Sequence, residues 1–146
     1  MQRVDFYLAP GQPVEAVIPQ VAKKALAAGE RMLVVSADEE QLARLDHTLW
    51  EAHPEDFLAH GPAGDRHAAR QPILLSASCV AENQARLVAL ADGAWREEAE
   101  SFERVLLFFD EAGRTPARET WRRLDQREGV ERAFHEHDGR RWVRKG

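Results

Sequence analysis

The stretch Val105-Leu106-Leu107-Phe108-Phe109 is an uninterrupted run of apolar residues, which is typical of a strand buried on both faces of a sheet. Shorter apolar or alternating runs before and after it predict further strands. The predicted strands cover residues 4–8, 31–36, 73–76 and 86–90, and residues 134–143 are expected to form a short strand or a hairpin that turns at Asp138-Gly139. The core is therefore expected to be built on a sheet.

The first helix is predicted from apolar residues spaced three and four apart between Val14 and Leu26. Pro19 interrupts this stripe, so the regular helix is expected to begin near Ile18 or to kink there. Gly29 is expected to terminate the helix because glycine readily adopts the left-handed conformation of that position.

Two later helices are marked by their capping residues. Asp38 is followed three residues later by Gln41, a pattern close to a capping box. The core stripe of this second helix consists of Leu42, Leu45 and Leu49. The last helix is expected to use Thr115 as N-cap and Pro116 as its first residue, and to close at Gly129. Residues 57–70 are interpreted as a loop and residues 94–103 as a mostly polar helical stretch.

The alternation of strands and helices predicts an α/β fold. We expect a single Rossmann-like domain over residues 1–146, with a mostly parallel twisted sheet and helices on both faces. The length of 146 residues fits one hydrophobic core. The hydrophobic fraction of 44% and the charged fraction of 31% are typical of a folded domain and exclude an intrinsically disordered chain.

The composition also restricts the compartment and the chemistry. No apolar run approaches the roughly 20 residues of a membrane span, and the sequence that follows Met1 lacks the apolar segment of a secretory signal. The only cysteine, Cys79, excludes an internal disulfide and any multi-cysteine metal site. A cytoplasmic protein without membrane contact and without a cofactor is therefore expected.

Charge is distributed unevenly along the chain. The net charge is −5, but residues 114–146 carry +4 and the first 113 residues carry −9. An acidic body disfavours wrapping on duplex DNA, whose affinity depends on neutralising many phosphates. The basic end fits an acidic peptide or a short run of phosphates, although arginines that are merely solvated would give the same composition.

An enzymatic alternative rests on Asp110 and Glu111, two carboxylates at the end of a predicted buried strand, where nucleotide hydrolases hold magnesium. Such an α/β enzyme, with Asp110 on a metal, also needs a glycine-rich phosphate loop. Residues 9–13 read Ala-Pro-Gly-Gln-Pro at that place and lack the lysine. His135 and His137 share one face of a strand, but two ligands do not specify a metal site.

Two groups of residues are typical of contact surfaces. Trp50 lies about 80° from Leu42 around the second helix, at the flank of its buried stripe, and Phe57 follows closely. Such aromatic pairs anchor protein interfaces, but they can also cap the edge of a sheet.

On the last helix, three arginines at i, i+4 and i+8 form a basic ridge beside an apolar ridge. The basic ridge is Arg114, Arg118 and Arg122, and the apolar ridge is Ala117, Trp121 and Leu124. This arrangement fits a peptide that is both acidic and apolar, because guanidinium groups bind carboxylates in a bidentate manner. A surface helix with Trp121 in the core is the other interpretation.

The chain resembles the chi subunits of bacterial DNA polymerase III holoenzyme. The stretches that carry the resemblance are residues 4–8, 28–34, 44–50, 56–64, 117–122 and 139–142. The specific feature is the order and spacing of all six, which span the chain, and the stretches that contribute most are Leu45-Asp46-His47-Thr48-Leu49-Trp50 and Ala117-Arg118-Glu119-Thr120-Trp121.

The resemblance implies a Rossmann-like accessory subunit of the clamp-loader complex, without catalysis of its own. It implies two partners, the psi subunit and the acidic C-terminal tail of single-stranded DNA-binding protein, with DNA contacted only indirectly. Trp50 and Phe57 match the positions that face psi. The tail pocket is matched by Arg114, Arg118, Trp121 and Arg122, with Leu107 on the adjacent strand.

Overall fold

An eight-stranded sheet organises the chain in a computed structural model that describes residues 2–51, 58–138 and 140–146. The strands are Gln2–Leu8 (β1), Met32–Val35 (β2), His60–Pro62 (β3), Ile73–Ser76 (β4), Leu87–Leu90 (β5), Arg104–Phe109 (β6), Val130–His137 (β7) and Trp142–Arg144 (β8). The helices are Val14–Ala27 (α1), Glu39–Glu51 (α2) and Arg114–Asp125 (α3).

The strands are ordered β3-β4-β2-β5-β6-β1-β7-β8, and every neighbouring pair is parallel except the β7–β8 hairpin. This confirms the predicted α/β class and the mostly parallel sheet. The order differs from the 3-2-1-4-5-6 order of the dinucleotide-binding Rossmann fold, so the more specific Rossmann-like description stays a prediction.

Helices cover both faces of the sheet, as predicted. Phe6 of β1 lies in one buried cluster with Leu124 of α3. Phe108 of β6 belongs to a second cluster with Ile18 of α1 and Leu45 of α2. Because successive residues of a strand point to opposite faces, α3 lies on one side of the sheet and α1 and α2 on the other.

Helix α1 begins earlier than the sequence suggests. It starts at Val14 and contains Pro19, so the expected start near Ile18 is wrong. Val14 and Ile18 are both buried in the core, and this burial outweighs the loss of the one N–H donor that proline lacks. The predicted end is confirmed, since Gly29 has a φ of +80° just beyond the helix.

The capping box of α2 is only half confirmed. Asp38 Oδ1 accepts a hydrogen bond from Glu40 N at 3.0 Å, which is the expected cap. Gln41 does not reach back to the backbone of Asp38. It is buried instead, and its side chain links the Ser36 hydroxyl to the carbonyl of Ala91. The conformation of the Gln41 side chain is therefore set by its burial between the ends of β2 and β5.

Three other local predictions need correction. The expected loop 57–70 contains β3, and the expected helical stretch 94–103 forms only the 3₁₀ turn Glu97–Ser101. Helix α3 begins at Arg114, so Thr115 is not its N-cap. Asp110 accepts a hydrogen bond from Gly113 N at 3.0 Å, and the 3₁₀ turn so formed starts the helical backbone early.

The predicted hairpin is confirmed, with the difference that its first strand begins already at Val130. Within the described ranges no helix is long and apolar enough to span a membrane.

Candidate functional site

A cavity of about 300 Å³ lies between α3 and the sheet, next to the β7–β8 hairpin. Its lining residues come from five parts of the chain. They are Phe6 of β1, Phe109 of β6, Phe134 of β7, and Arg114, Ala117, Arg118 and Trp121 of α3, together with Gly146. The cavity therefore combines an aromatic interior with basic residues from a single helix.

The interior of the cavity is held rigid by packing between aromatic rings. The rings of Phe6 and Trp121 meet edge to face, with centroids 5.1 Å apart and an interplanar angle of 68°. Phe109 and Phe134 lie 6.2 Å apart. Phe6 and Phe109 are buried, whereas Trp121 and Phe134 are half-buried. An apolar or aromatic side chain is the group that such a surface accommodates.

Two arginines on the rim differ in their electrostatic state. Arg114 donates to both carboxylate oxygens of Glu111, each at 3.0 Å, and lies 3.9 Å from Glu136. The hydrogen bond from Arg114 lowers the pKa of Glu111 below its usual value. Arg118 is exposed and has no hydrogen bond or ion pair within residues 2–51, 58–138 and 140–146. Arg118 is thus the guanidinium that can receive an incoming carboxylate.

Strand β7 contributes residues that the sequence analysis missed. Its register with β1 pairs Phe6 with Phe134, which directs Arg132, Phe134 and Glu136 toward α3. The charged residues break the apolar alternation by which strands are recognised. On the face of β7 toward α3, only Val130 and Phe134 are apolar, which is a weak local signal for a strand.

The predicted pocket residues occupy three kinds of position. Arg114, Arg118 and Trp121 line the cavity together. Arg122 is exposed on α3 but does not line the cavity. Leu107 has no exposed surface, and it packs in the buried cluster that includes Phe6 and Phe109. Leu107 therefore packs behind two residues that line the cavity and does not reach the cavity itself.

The predicted aromatic surface lies on the other side of the sheet. Trp50 is 52% exposed, which confirms its expected position at the flank of α2. Its ring lies 4.5 Å from that of His60, whose buried side chain is hydrogen-bonded to Asp46 at 2.9 Å. Phe57 lies outside the described residues. The indole of Trp50 thus packs against His60, and about half of the residue remains accessible to solvent or to a partner.

The alternative chemical sites have other roles in the structure. Asp110 caps the turn before α3. His135 bonds to Asp5 at 2.9 Å, and His137 bonds to Gln12 at 2.8 Å. In the part of the chain that the structure describes, no group of three or more His, Cys, Asp or Glu side chains is arranged to hold a metal ion.

An ionic network lies on the face of the sheet opposite the cavity. Asp5 is fully buried and bonds to Arg3 of its own strand, to Arg104 of β6 at 3.0 Å and to His135 of β7. Burial alone raises the pKa of Asp5, but the hydrogen bonds from His135 and Arg3 and the charge of Arg104 outweigh it, so that this pKa is lowered. The ionised carboxylate thus joins three neighbouring strands.

The sequence matches a known family over most of its length. Residues 1–131 match the family model described as DNA polymerase III chi subunit, HolC. Among curated proteins, DNA polymerase III subunit chi of Escherichia coli (strain K12) is 33% identical over 60 residues, which are 41% of this chain and 41% of that protein. The match to this relative therefore covers less than half the length of either chain.

Proposed function

Because the chain belongs to the DNA polymerase III chi subunit family, we propose that it is a non-catalytic adaptor that links the clamp-loader complex to single-stranded DNA-binding protein. The proposed contact is between the cavity under α3 and the acidic C-terminal tail of that protein. The observation that carries the proposal is the combination of an aromatic cavity of about 300 Å³ with the guanidinium of Arg118 at its rim, which is unpaired among the described residues.

The aromatic interior and the basic rim of the cavity fit the ring and the carboxylate of a C-terminal phenylalanine. A terminal phenylalanine places its ring against Trp121 and Phe134, where it is removed from water. Its carboxylate meets Arg118, since a charge-assisted hydrogen bond is stronger than a neutral one. Arg122 lies one turn further along α3 and extends the basic ridge toward the acidic residues that precede the terminus.

A calorimetric titration tests this proposal directly. The probe is a short acidic peptide that ends in phenylalanine, and the control is the same peptide with a C-terminal amide. We expect the free acid to bind the wild-type chain and the amide to bind much more weakly, with an affinity that falls as salt is added. Equal affinity of the two peptides, or no binding of either, contradicts the proposal.

Glu111→Gln is expected to tighten peptide binding about two- to fivefold, because the glutamine no longer neutralises Arg114 before the ligand arrives. Glu119→Gln is the matched control. Glu119 of α3 is exposed like Glu111, and its replacement changes the net charge equally, but within the described residues it does not pair with Arg114. The prediction is wrong if both variants bind the peptide with the same affinity.

We further propose that the surface around Trp50 and Phe57 binds the psi subunit. Its support is the exposure of 52% of Trp50, since large aromatic side chains at the centre of an interface carry much of its binding energy.

Trp50→Ala is expected to weaken a complex with psi at least about 30-fold, because a buried tryptophan anchor contributes about 2 kcal/mol or more to an interface. Co-purification of the variant with psi measures this loss. The affinity for the tail peptide should remain at the wild-type value, because the cavity lies on the opposite face of the sheet. Recovery of psi with the variant at wild-type yield would count against this interface.

A further inference from the structure

Arg132 of β7 lies over the indole of Trp121. Its guanidinium carbon is 4.3 Å from the centroid of the indole, which is the geometry of a cation–π contact. The same guanidinium donates to the carbonyl oxygen of Trp121 at 2.8 Å and to Asp125 at 2.6 Å. Arg132 itself does not line the cavity.

These contacts fix the indole from two directions. Phe6 meets Trp121 edge to face, and Arg132 covers it with a planar group held by two further hydrogen bonds. The side chain of Arg132 is only 19% exposed, so its stem also packs against its surroundings. The indole of Trp121 is thus in contact with Phe6 of β1 and Arg132 of β7.

We propose that Arg132 is a positioning residue of the cavity, which sets the affinity for a terminal aromatic residue by holding the indole of Trp121 in place. The part that concerns affinity rests on the proposed function, whereas the part that concerns the indole does not. An indole that is free to rotate loses entropy when a ligand orders it, and a preorganised indole avoids this cost.

Arg132→Met and Arg132→Lys test the proposal. Methionine keeps the apolar stem, and lysine keeps the charge but has neither the planar group nor the fork of donors. Arg123→Met is the matched control, because Arg123 donates a hydrogen bond to Thr120 on another side of α3 and does not line the cavity. The free energy of unfolding of each variant shows whether the fold is retained.

Two readouts are needed. In protein labelled with 5-fluorotryptophan, the ¹⁹F signal of Trp121 is assigned with Trp121→Phe, and its broadening by a soluble gadolinium chelate measures exposure of the indole. We expect stronger broadening in both Arg132 variants, unchanged signals of Trp50 and Trp142, and an affinity for the tail peptide that is weaker by about fivefold or more. Arg123→Met should leave both readouts unchanged.

The possible outcomes are distinguishable. If the wild-type chain binds no acidic peptide, the proposed function fails, but the exposure of Trp121 still decides whether Arg132 positions it. An unchanged Trp121 signal in both variants overturns the proposal. If the indole of Trp121 becomes more exposed but the affinity for the tail peptide stays at the wild-type value, the proposed effect of Arg132 on affinity is overturned. A loss of stability without a change in the Trp121 signal shows a purely structural residue and also overturns it.

Discussion

Arg118→Glu is expected to abolish measurable binding of an acidic peptide that ends in phenylalanine. Removal of one charge-assisted hydrogen bond costs about 2 kcal/mol or more, which alone weakens binding at least about 30-fold. The new carboxylate then repels the acidic ligand in addition. Because Arg118 is exposed and unpaired within the described ranges, its replacement should leave the fold intact.

Arg123→Glu is the matched control for this experiment. It makes the same charge change on the same helix, but Arg123 faces Thr120 on another side of α3. It therefore measures the loss of general electrostatic attraction, which is expected to be small at physiological salt. Calorimetry that gives the two variants equal affinities would show that Arg118 has no specific role.

Asp5→Asn is expected to lower the free energy of unfolding by about 3 kcal/mol at pH 7, because it leaves three cationic or polar partners without the charge that they share. This estimate is at the lower end of the range for a broken buried pair. Arg3 and Arg104 are 42% and 46% exposed, so water can solvate them in the variant. Urea denaturation measures the difference.

The same variant tests the pKa of Asp5. Since this pKa is lowered in the folded protein, the unfolded chain binds the proton first as the pH falls. The stability that Asp5 provides is present above the ordinary aspartate pKa of about 4, and it is lost as the pH falls toward the lower, folded-state value. The stability difference between wild type and Asp5→Asn should therefore shrink between pH 7 and pH 3.

Asp65→Asn provides the comparison for the Asp5 variant. Asp65 is exposed, and its side chain accepts one backbone hydrogen bond, which an asparagine oxygen can also accept. We expect a change in stability of less than about 0.5 kcal/mol. A similar small change for Asp5→Asn, or an effect of constant size at pH 7 and pH 3, contradicts the role of the buried carboxylate.

Features that depend on local periodicity could be predicted from the sequence. The spacing of Arg114, Arg118 and Trp121 on one helix needs only the geometry of a helix turn, and these residues do line one cavity. The flank position of Trp50 follows from the same geometry. The ion pair between Glu111 and Arg114, three residues apart, has a local signal as well, although the sequence analysis did not use it.

Features that depend on strand pairing could not be predicted. Asp5 looks like the solvent-facing residue of an alternating strand, and the partners that bury it, Arg104 and His135, are 99 and 130 residues away. Phe134 reaches the cavity only because β7 pairs with β1. Nothing in the local sequence of either strand specifies that register, so half of the cavity was not predictable.

The two faces of β7 connect the cavity to the ionic network. Phe134 belongs to the cavity, and the next residue, His135, binds Asp5 on the opposite face. On its outer side β7 pairs with the short strand β8, and the backbone of Phe134 also bonds to Lys145 and Gly146. Strands β7 and β8 therefore form one edge of the sheet, and the edge of a sheet is generally less protected against local unfolding than its centre. Loss of the β7–β1 pairing would remove Phe134 from the cavity and His135 from Asp5 together, so the lining of the cavity and the burial of the Asp5 carboxylate depend on the same strand.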